Sequence, residues 1–224
     1  MATNKILKVV IHLMSLPHIV ISRITDLLKL ESLETDLCRC LDVANRCGTR
    51  VPLVLIRALI IAEDHRNLIH PGIDPIGILR AIVARVLRGE MQGASTIEQQ
   101  FVRVVTGRYE RTISRKIREQ ILALSLSRRK SKSEIASAYL SVAFFGAGCM
   151  GLKGLTKTFG IDLATVTDEQ ALKFMSQLKY PRPQAPSATW HKKIVYRTGM
   201  LAYRNRPTTN NAMQQTLVPR AADG

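Results

Sequence analysis

Two glutamates lie in sequence surroundings that suit chemistry on a sugar or a phosphate, and Glu63 is the first. It ends the strongly apolar stretch 52–62 and precedes Asp64, so we expect its carboxylate at the end of a buried helix. Burial raises the pKa of a carboxyl group because it disfavours the charged form, and a raised pKa suits a general base near neutrality. The same position also fits a helix-end acid that is only paired with Arg66 or His70.

The second acid, Glu119, lies among basic residues. Arg115 precedes it by four positions, and Lys116 and Arg118 lie between them. An ordinary ion pair explains Arg115 and Glu119, because residues four apart are neighbours on a helix surface. A cluster of cations also stabilises the negative charge that develops on a pyrophosphate leaving group. The residue types alone leave both interpretations open.

Four motifs follow one another between residues 57 and 183. They are Glu63-Asp64 with His70, Gly72 and Asp74; the run Gly-Ala-Ser-Thr-Ile-Glu-Gln-Gln over 93–100; Arg115-Lys116 with Glu119; and Lys132-x-Glu134-Ile135 with Tyr139-Leu140 and the glycine-rich loop 145–151. In this order they resemble the motifs of the family 51 glycosyltransferases, the transglycosylase domains of penicillin-binding proteins and their monofunctional relatives. A single motif of this kind is weak evidence for a family, whereas four in the same order and with the expected separations are specific evidence.

The resemblance implies a mainly α, lysozyme-like helical domain with a small membrane-facing lobe. It implies a peptidoglycan glycosyltransferase that polymerises lipid-linked disaccharide-pentapeptide (lipid II) into β-1,4 glycan strands, with inversion and release of undecaprenyl pyrophosphate. Glu63 falls on the family's catalytic base and Glu119 on its second acid. The resemblance implies that six further residues contact the substrate's sugar or pyrophosphate: Ser95, Gln99, Gln100, Arg103, Arg111 and Arg115.

The resemblance also implies where and with what the chain works. A divalent cation, Mg²⁺ or Mn²⁺, is the one cofactor to be considered, although no metal ligands are predicted from residue spacing. The expected partners are the lipid-linked peptidoglycan precursor, an anionic membrane surface and other cell-wall synthesis proteins. The expected location is the periplasmic face of a bacterial inner membrane. No transpeptidase domain is expected within 224 residues.

Four positions depart from the family pattern: Asn67, Glu98, Val104 and Ser141. Position 67 is often aromatic and position 98 often threonine, whereas asparagine is common at the other two. Glu98 matters most, because its negative charge should weaken the binding of an anionic substrate unless the side chain faces away as a helix cap.

The formal net charge of +16 favours anionic partners, among them nucleic acid, lipid headgroups and phosphorylated substrates. We expect no nucleic acid, because five tyrosines, five phenylalanines and one tryptophan provide few stacking surfaces and no helix-turn-helix or zinc signature occurs. Two alternatives remain. One is a lytic enzyme on the same scaffold, which has no pyrophosphate to neutralise. The other is a non-catalytic protein that binds the lipid precursor or an anionic membrane.

Helical patterns dominate, and they predict three regions: a helical N-terminal extension over 1–50 that can associate with a membrane, a glycosyltransferase domain over 51–205 and a polar tail over 206–224. The apolar stretch 6–21 contains Lys8, Pro17 and two histidines, so we expect a surface or core helix rather than a membrane-spanning one.

Helix ends within the domain are predicted from local signals. A basic amphipathic helix is predicted over 78–91, either packed on the surface or lying at a membrane. Capping boxes are predicted at Ser95 and Ser131, and another helix should start at Thr167 and end before Pro181. The glycine-rich run 146–151 is predicted to be a loop.

Overall fold

The computed structural model describes residues 2–47, 51–160 and 162–206, and most of its regular structure is helical. The helices are α1 (Ala2–Leu27), α2 (Glu31–Cys47), α3 (Leu53–Glu63), α4 (Pro75–Arg88), α5 (Ile97–Thr106), α6 (Ile113–Ser127), α7 (Lys132–Val142), α8 (Gly151–Phe159), α9 (Asp168–Lys179) and α10 (Ala188–Arg204). The remaining elements are strands β1 (Phe144–Gly146) and β2 (Cys149–Met150) and a 3₁₀ turn, Leu163–Thr165. The prediction of a mainly α fold is confirmed.

Local capping explains where two helices begin. At the start of α7, Ser131 accepts the backbone N–H of Glu134, and the Glu134 carboxylate accepts the backbone N–H of Ser131. The Thr167 hydroxyl and the Gln170 side chain form the same reciprocal pair before α9. Both predicted helix starts are confirmed.

The predicted capping box at Ser95 is wrong by one residue. The Thr96 hydroxyl caps α5 by accepting from the backbone N–H of Gln99, at 3.3 Å. The Glu98 side chain cannot reach back to the cap because it is fully buried against another helix. Gly107 ends α5 in the left-handed conformation, with a φ of 67°.

The apolar helix α3 lies in the core and packs on α7, α9 and α10, so its last residue, Glu63, is carried by a well-buried support. Helix α5 packs on α6 and α7. Helix α2 also contributes Leu37, Cys40 and Ala44 to this core. The domain boundary near residue 50 stays a prediction, and 207–224 of the predicted tail lie outside the described residues.

Helix α4 begins three residues earlier than predicted. Asp74 accepts the backbone N–H of Gly77 at 3.0 Å, and Pro75 occupies the first turn, where it needs no N–H partner. Gly89 ends the helix in the left-handed conformation. Only Gly77 and Ala84 of α4 are buried, so its apolar stripe faces outward: Leu79, Ile82, Val83, Val86 and Leu87.

Helix α1 contains the stretch 6–21, for which the sequence predicts a surface or core helix. It runs unbroken through Pro17 for 26 residues, and the segment Asn4–Leu27 is long and apolar enough to cross a membrane. Only 17% of its most apolar window is buried, so it is not a core helix. Near its C-terminal end, Ser22 and Asp26 bond to Arg128 beside the end of α6, which ties α1 to the domain.

The predicted loop at 146–151 contains a short antiparallel hairpin made by β1 and β2. Its backbone also pairs with the segment after α9: the Arg182 N–H donates to Phe145, and the Ala147 N–H donates to Arg182. Gly146 has a φ of 131°, and a Cβ there would overlap the Arg182 backbone. Glycine is therefore required for this close approach.

Candidate active site

Glu63 is held by hydrogen bonds to both of its carboxylate oxygens. Arg197 on α10 donates to one oxygen at 2.9 Å, and the amide of Gln100 on α5 donates to the other at 3.2 Å. The Tyr139 hydroxyl donates to the Gln100 carbonyl at 2.8 Å and so fixes which end of the amide faces Glu63. The Glu63 side chain is 18% exposed, which leaves it accessible from one side.

Burial raises the pKa of Glu63, and this effect outweighs Arg197, Gln100 and Lys179, which favour the charged form. A carboxylate with a raised pKa accepts a proton more readily than an ordinary glutamate does. Burial also raises the pKa of Tyr139, which therefore stays a neutral hydroxyl donor. The arrangement suits a general base.

Glu119 lies on α6 and is 2% exposed. Arg103 donates to its two oxygens at 2.8 and 3.1 Å, Arg115 donates to one of them, and the Lys116 ammonium lies 3.5 Å away. The simple pair between Arg115 and Glu119 that the sequence allowed is present, but two further cations join it. A buried carboxylate thus gathers three cations, and it fixes their positions.

The cations reach two of the predicted substrate-binding residues. Lys116 donates to the Ser95 hydroxyl at 2.9 Å and to the Gln99 carbonyl at 2.6 Å, and Arg103 donates to Ser95 at 3.3 Å. Burial lowers the pKa of Lys116 to about 8, although Glu119 favours its charged form. The amide nitrogen of Gln99 is buried without a partner, so it is one donor not used within the described residues.

Helix α5 brings the two acids together. Gln100 contacts Glu63 and Arg103 contacts Glu119, and residues three apart lie on the same face of a helix. Both carboxylates therefore lie along one stripe of α5. Arg111 is the exception among the predicted residues: it is exposed between α5 and α6, and no hydrogen bond or ion pair joins it to another described residue. Its role stays a prediction.

Two of the positions that depart from the family pattern touch each other. Asn67 donates to Glu98 at 3.5 Å and to Asp64 at 3.2 Å, and Glu98 forms an ion pair with Lys132 on α7. Glu98 is fully buried there and is neutralised by Lys132. The expected repulsion of an anionic substrate does not follow, because this charge is paired on the side of α5 that faces α7.

The carboxylates of Asp64 and Glu98 and the imidazole of His70 lie within 4.8 Å of one another, a spacing that a metal ion could bridge. The hydrogen bonds favour a different interpretation. The Gly72 N–H donates to Nδ1 of His70 at 3.1 Å, so the other ring nitrogen carries the hydrogen and donates to Asp64 at 3.0 Å. Both nitrogens are engaged, and Lys132 occupies Glu98, so these donors fit a structural polar cluster better than a metal centre.

The sequence gives no sign of the roles of Arg197 and Tyr139, and it indicates Lys116 only as one of the cations near Glu119. Lys116 and Tyr139 both stand within the four motifs. Arg197 is 134 residues from Glu63 along the chain, and no local pattern links them. Only the packing of α10 against α3 brings this arginine to the acid.

Comparison with known proteins identifies the family of this chain. A family model described as Transglycosylase matches residues 46–204. Penicillin-binding protein 1B of Haemophilus influenzae is 40% identical over 115 residues, which cover 51% of this chain and 14% of that protein. Penicillin-binding protein 1A of Rickettsia felis is 30% identical over 181 residues, 76% of this chain and 23% of that protein. Penicillin-binding protein 1A of Escherichia coli is 34% identical over 139 residues, 62% of this chain and 16% of that protein.

The chain therefore spans less than a quarter of the length of these relatives. The matched family region includes both acids, the cation cluster and the helices that carry them. The chain belongs to the transglycosylase family, the family 51 glycosyltransferases, and its mainly α fold is consistent with the lysozyme-like architecture of that family.

Proposed function

We propose that this chain is a peptidoglycan glycosyltransferase that polymerises lipid II into β-1,4 glycan strands and releases undecaprenyl pyrophosphate. The observation that carries the proposal is the position of Glu63 and Glu119 along one stripe of α5, through Gln100 and Arg103. A base for the attacking sugar hydroxyl and cations for the departing pyrophosphate can then act within one active site.

In this mechanism Glu63 accepts the proton of the acceptor's 4-hydroxyl group as that oxygen attacks the anomeric carbon of the donor sugar. The bond from this carbon to the pyrophosphate oxygen breaks, and the electron pair leaves with the pyrophosphate. A single displacement inverts the configuration, which turns an α-linked pyrophosphate into a β-linked glycan. The raised pKa of Glu63 supports its assignment as the base.

The leaving group would be bound by the cations around Glu119. Arg103, Arg115 and Lys116 converge on this carboxylate, which holds them in place before the substrate arrives. Preorganised cations stabilise developing negative charge without the cost of reorienting during the reaction. Ser95 and Gln99 add polar groups beside Lys116. A role for Arg111, and for Mg²⁺ or Mn²⁺, stays a prediction.

The lipid tail of the substrate requires the site to lie beside a membrane. Helix α1 is long and apolar enough to span one, and α4 exposes an apolar stripe near its basic residues Arg85 and Arg88. An apolar face rimmed by cations favours binding at an anionic lipid surface. We place the domain at the periplasmic face of a bacterial inner membrane, where α4 forms the membrane-facing lobe and cell-wall synthesis proteins are its neighbours.

The test is incubation of the detergent-solubilised chain with labelled lipid II, followed by separation of polymer from substrate. The wild type should form polymer, and Glu63→Gln should form none while keeping its fold by circular dichroism. Glu169→Gln is the matched control, because Glu169 is an exposed acid on α9 away from both clusters. Equal polymer yield from wild type and Glu63→Gln would remove the proposed base.

Two other results would point to a different function. Release of soluble sugar fragments from purified cell wall, without polymer from lipid II, would indicate a lytic enzyme. Binding of lipid II without turnover, unchanged in Glu63→Gln, would indicate a non-catalytic precursor-binding protein. The three cations around Glu119 speak against the lytic enzyme, because hydrolysis of a polysaccharide develops no pyrophosphate charge.

A further inference from the structure

We infer that Arg197, on the C-terminal helix α10, is a positioning residue that keeps the Glu63 carboxylate charged and in one orientation for catalysis. The inference rests on the proposed function, because it takes Glu63 as the base. Arg197 lies outside the four motifs, on a helix that is distant from Glu63 in sequence.

The contacts of Arg197 are specific to the end of α3. One terminal nitrogen donates both to a Glu63 oxygen at 2.9 Å and to the backbone carbonyl of Ala62 at 3.1 Å. The Arg197 side chain is 15% exposed, so the pair lies largely out of solvent. Its Nε is buried without a partner, so within the described residues the guanidinium is held by Glu63 and this carbonyl alone. The carbonyl fixes the guanidinium, and the guanidinium fixes one carboxylate oxygen.

The other groups around Glu63 do not replace this charge. Helix α5 offers the neutral amide of Gln100, and α7 offers Tyr139, a neutral hydroxyl that reaches Glu63 only through Gln100. Helix α9 offers Lys179, which acts on Glu63 through charge without a hydrogen bond and is exposed to solvent. Arg197 is therefore the one cation of the described residues that bonds directly to the acid.

A cation beside a general base has two opposing effects. It makes the base available, because it favours the charged carboxylate that burial disfavours. It also makes the base weaker, because the proton taken from the sugar hydroxyl is bound less tightly. After each transfer Arg197 promotes release of that proton to solvent, which restores the carboxylate. Removing Arg197 should therefore cost most activity at low pH and less where Glu63 is already ionised, because only the loss of its orientation then remains.

The experiment compares kcat/KM of the full chain from pH 5 to pH 9 on lipid II for the wild type, Arg197→Met and Arg197→Lys. An opposite charge at this distance lowers a carboxyl pKa by ~1–3 units, so the acidic limb of Arg197→Met should move up by at least about 1 pH unit. At pH values below the acidic limb of the wild type, Arg197→Met should be roughly 10-fold less active than wild type, and its activity should recover as the pH rises. Arg197→Lys should keep the limb near its wild-type position. Lys192→Met, which removes an exposed charge from the same helix, is the matched control.

A second measurement does not depend on activity. Carboxyl carbon NMR of glutamate-labelled protein should show Glu63 titrating at higher pH in Arg197→Met than in wild type, the resonance being identified by its loss in Glu63→Gln. If the variant's activity is reduced by the same factor at every pH and Glu63 titrates unchanged, Arg197 only anchors α10 and the inference is overturned. Full activity of Glu63→Gln would instead overturn the proposed base, whatever the NMR titration gives.

Discussion

Replacement of Lys132 by methionine should destabilise the fold through one buried acid. The Lys132 ammonium contacts Glu98, whose side chain is fully buried and whose second oxygen has no hydrogen-bond partner among the described residues. Methionine keeps most of the length and the apolar stem of lysine but removes the charge. The Glu98 carboxylate would then have only the distant amide of Asn67, at 3.5 Å.

The expected magnitude follows from this burial. Removing one partner of a buried ion pair costs about 3–5 kcal/mol, and we expect the lower end because the Lys132 side chain is itself 23% exposed. In a protein of this size each kcal/mol corresponds to a fall of roughly 2–4 °C in the melting temperature. Lys132→Met should therefore melt about 6–12 °C below the wild type.

The assay is urea unfolding of Lys132→Met, Glu98→Gln and the double variant, with Lys130→Met as the control. Lys130 lies just before α7 and pairs with Glu134 on that helix, but this acid is 30% exposed, so loss of the pair should cost less than about 1 kcal/mol. The double variant should recover much of the loss, because position 98 no longer carries a buried, unpaired carboxylate. A loss in Lys132→Met that is equally large in the double variant would refute the reasoning.

Three further outcomes are expected. The KM for lipid II should rise as the pH passes through about 8, where Lys116 loses its charge, and Lys116→Arg should abolish that rise in steady-state kinetics from pH 7 to 9. Gly146→Ala should cost roughly 1–3 kcal/mol in urea unfolding, since its φ of 131° and the adjoining backbone exclude a side chain, whereas Gly93→Ala has open space and should cost little. Asp26→Ala should speed hydrogen exchange at 22–27 of α1 without affecting α3, because the ion pair with Arg128 ties α1 to the domain; an unchanged rate would contradict this.

Features set by neighbouring residues were predictable from the sequence. The start of α7 depends on Ser131 and Glu134, three residues apart, and the position of Glu63 depends on the apolar stretch that precedes it. The start of α5 was predicted one residue early, because Ser95 and Thr96 both suit a helix cap and the choice between them depends on packing. The Thr96 hydroxyl donates to the Gly72 carbonyl at 2.7 Å, a partner 24 residues away.

Features set by distant contacts were not predictable. Arg197 meets Glu63 across 134 residues, and Lys132 meets Glu98 across 34. The length of helix α1 was not predictable either, because Lys8, Pro17 and two histidines interrupt its apolar sequence. A proline removes only one backbone hydrogen bond, and the remaining bonds carry the helix through it.

Helix α5 explains how a departure from the family pattern can leave the chemistry intact. Successive helix residues point about 100° apart, so Glu98 faces the cluster with Lys132 while Gln100 and Arg103 face the two acids. The charge at position 98 is neutralised before it can act on the substrate side. Substitutions at Glu98 should therefore act mainly on stability and those at Arg103 mainly on turnover, although the two residues lie on the same short helix.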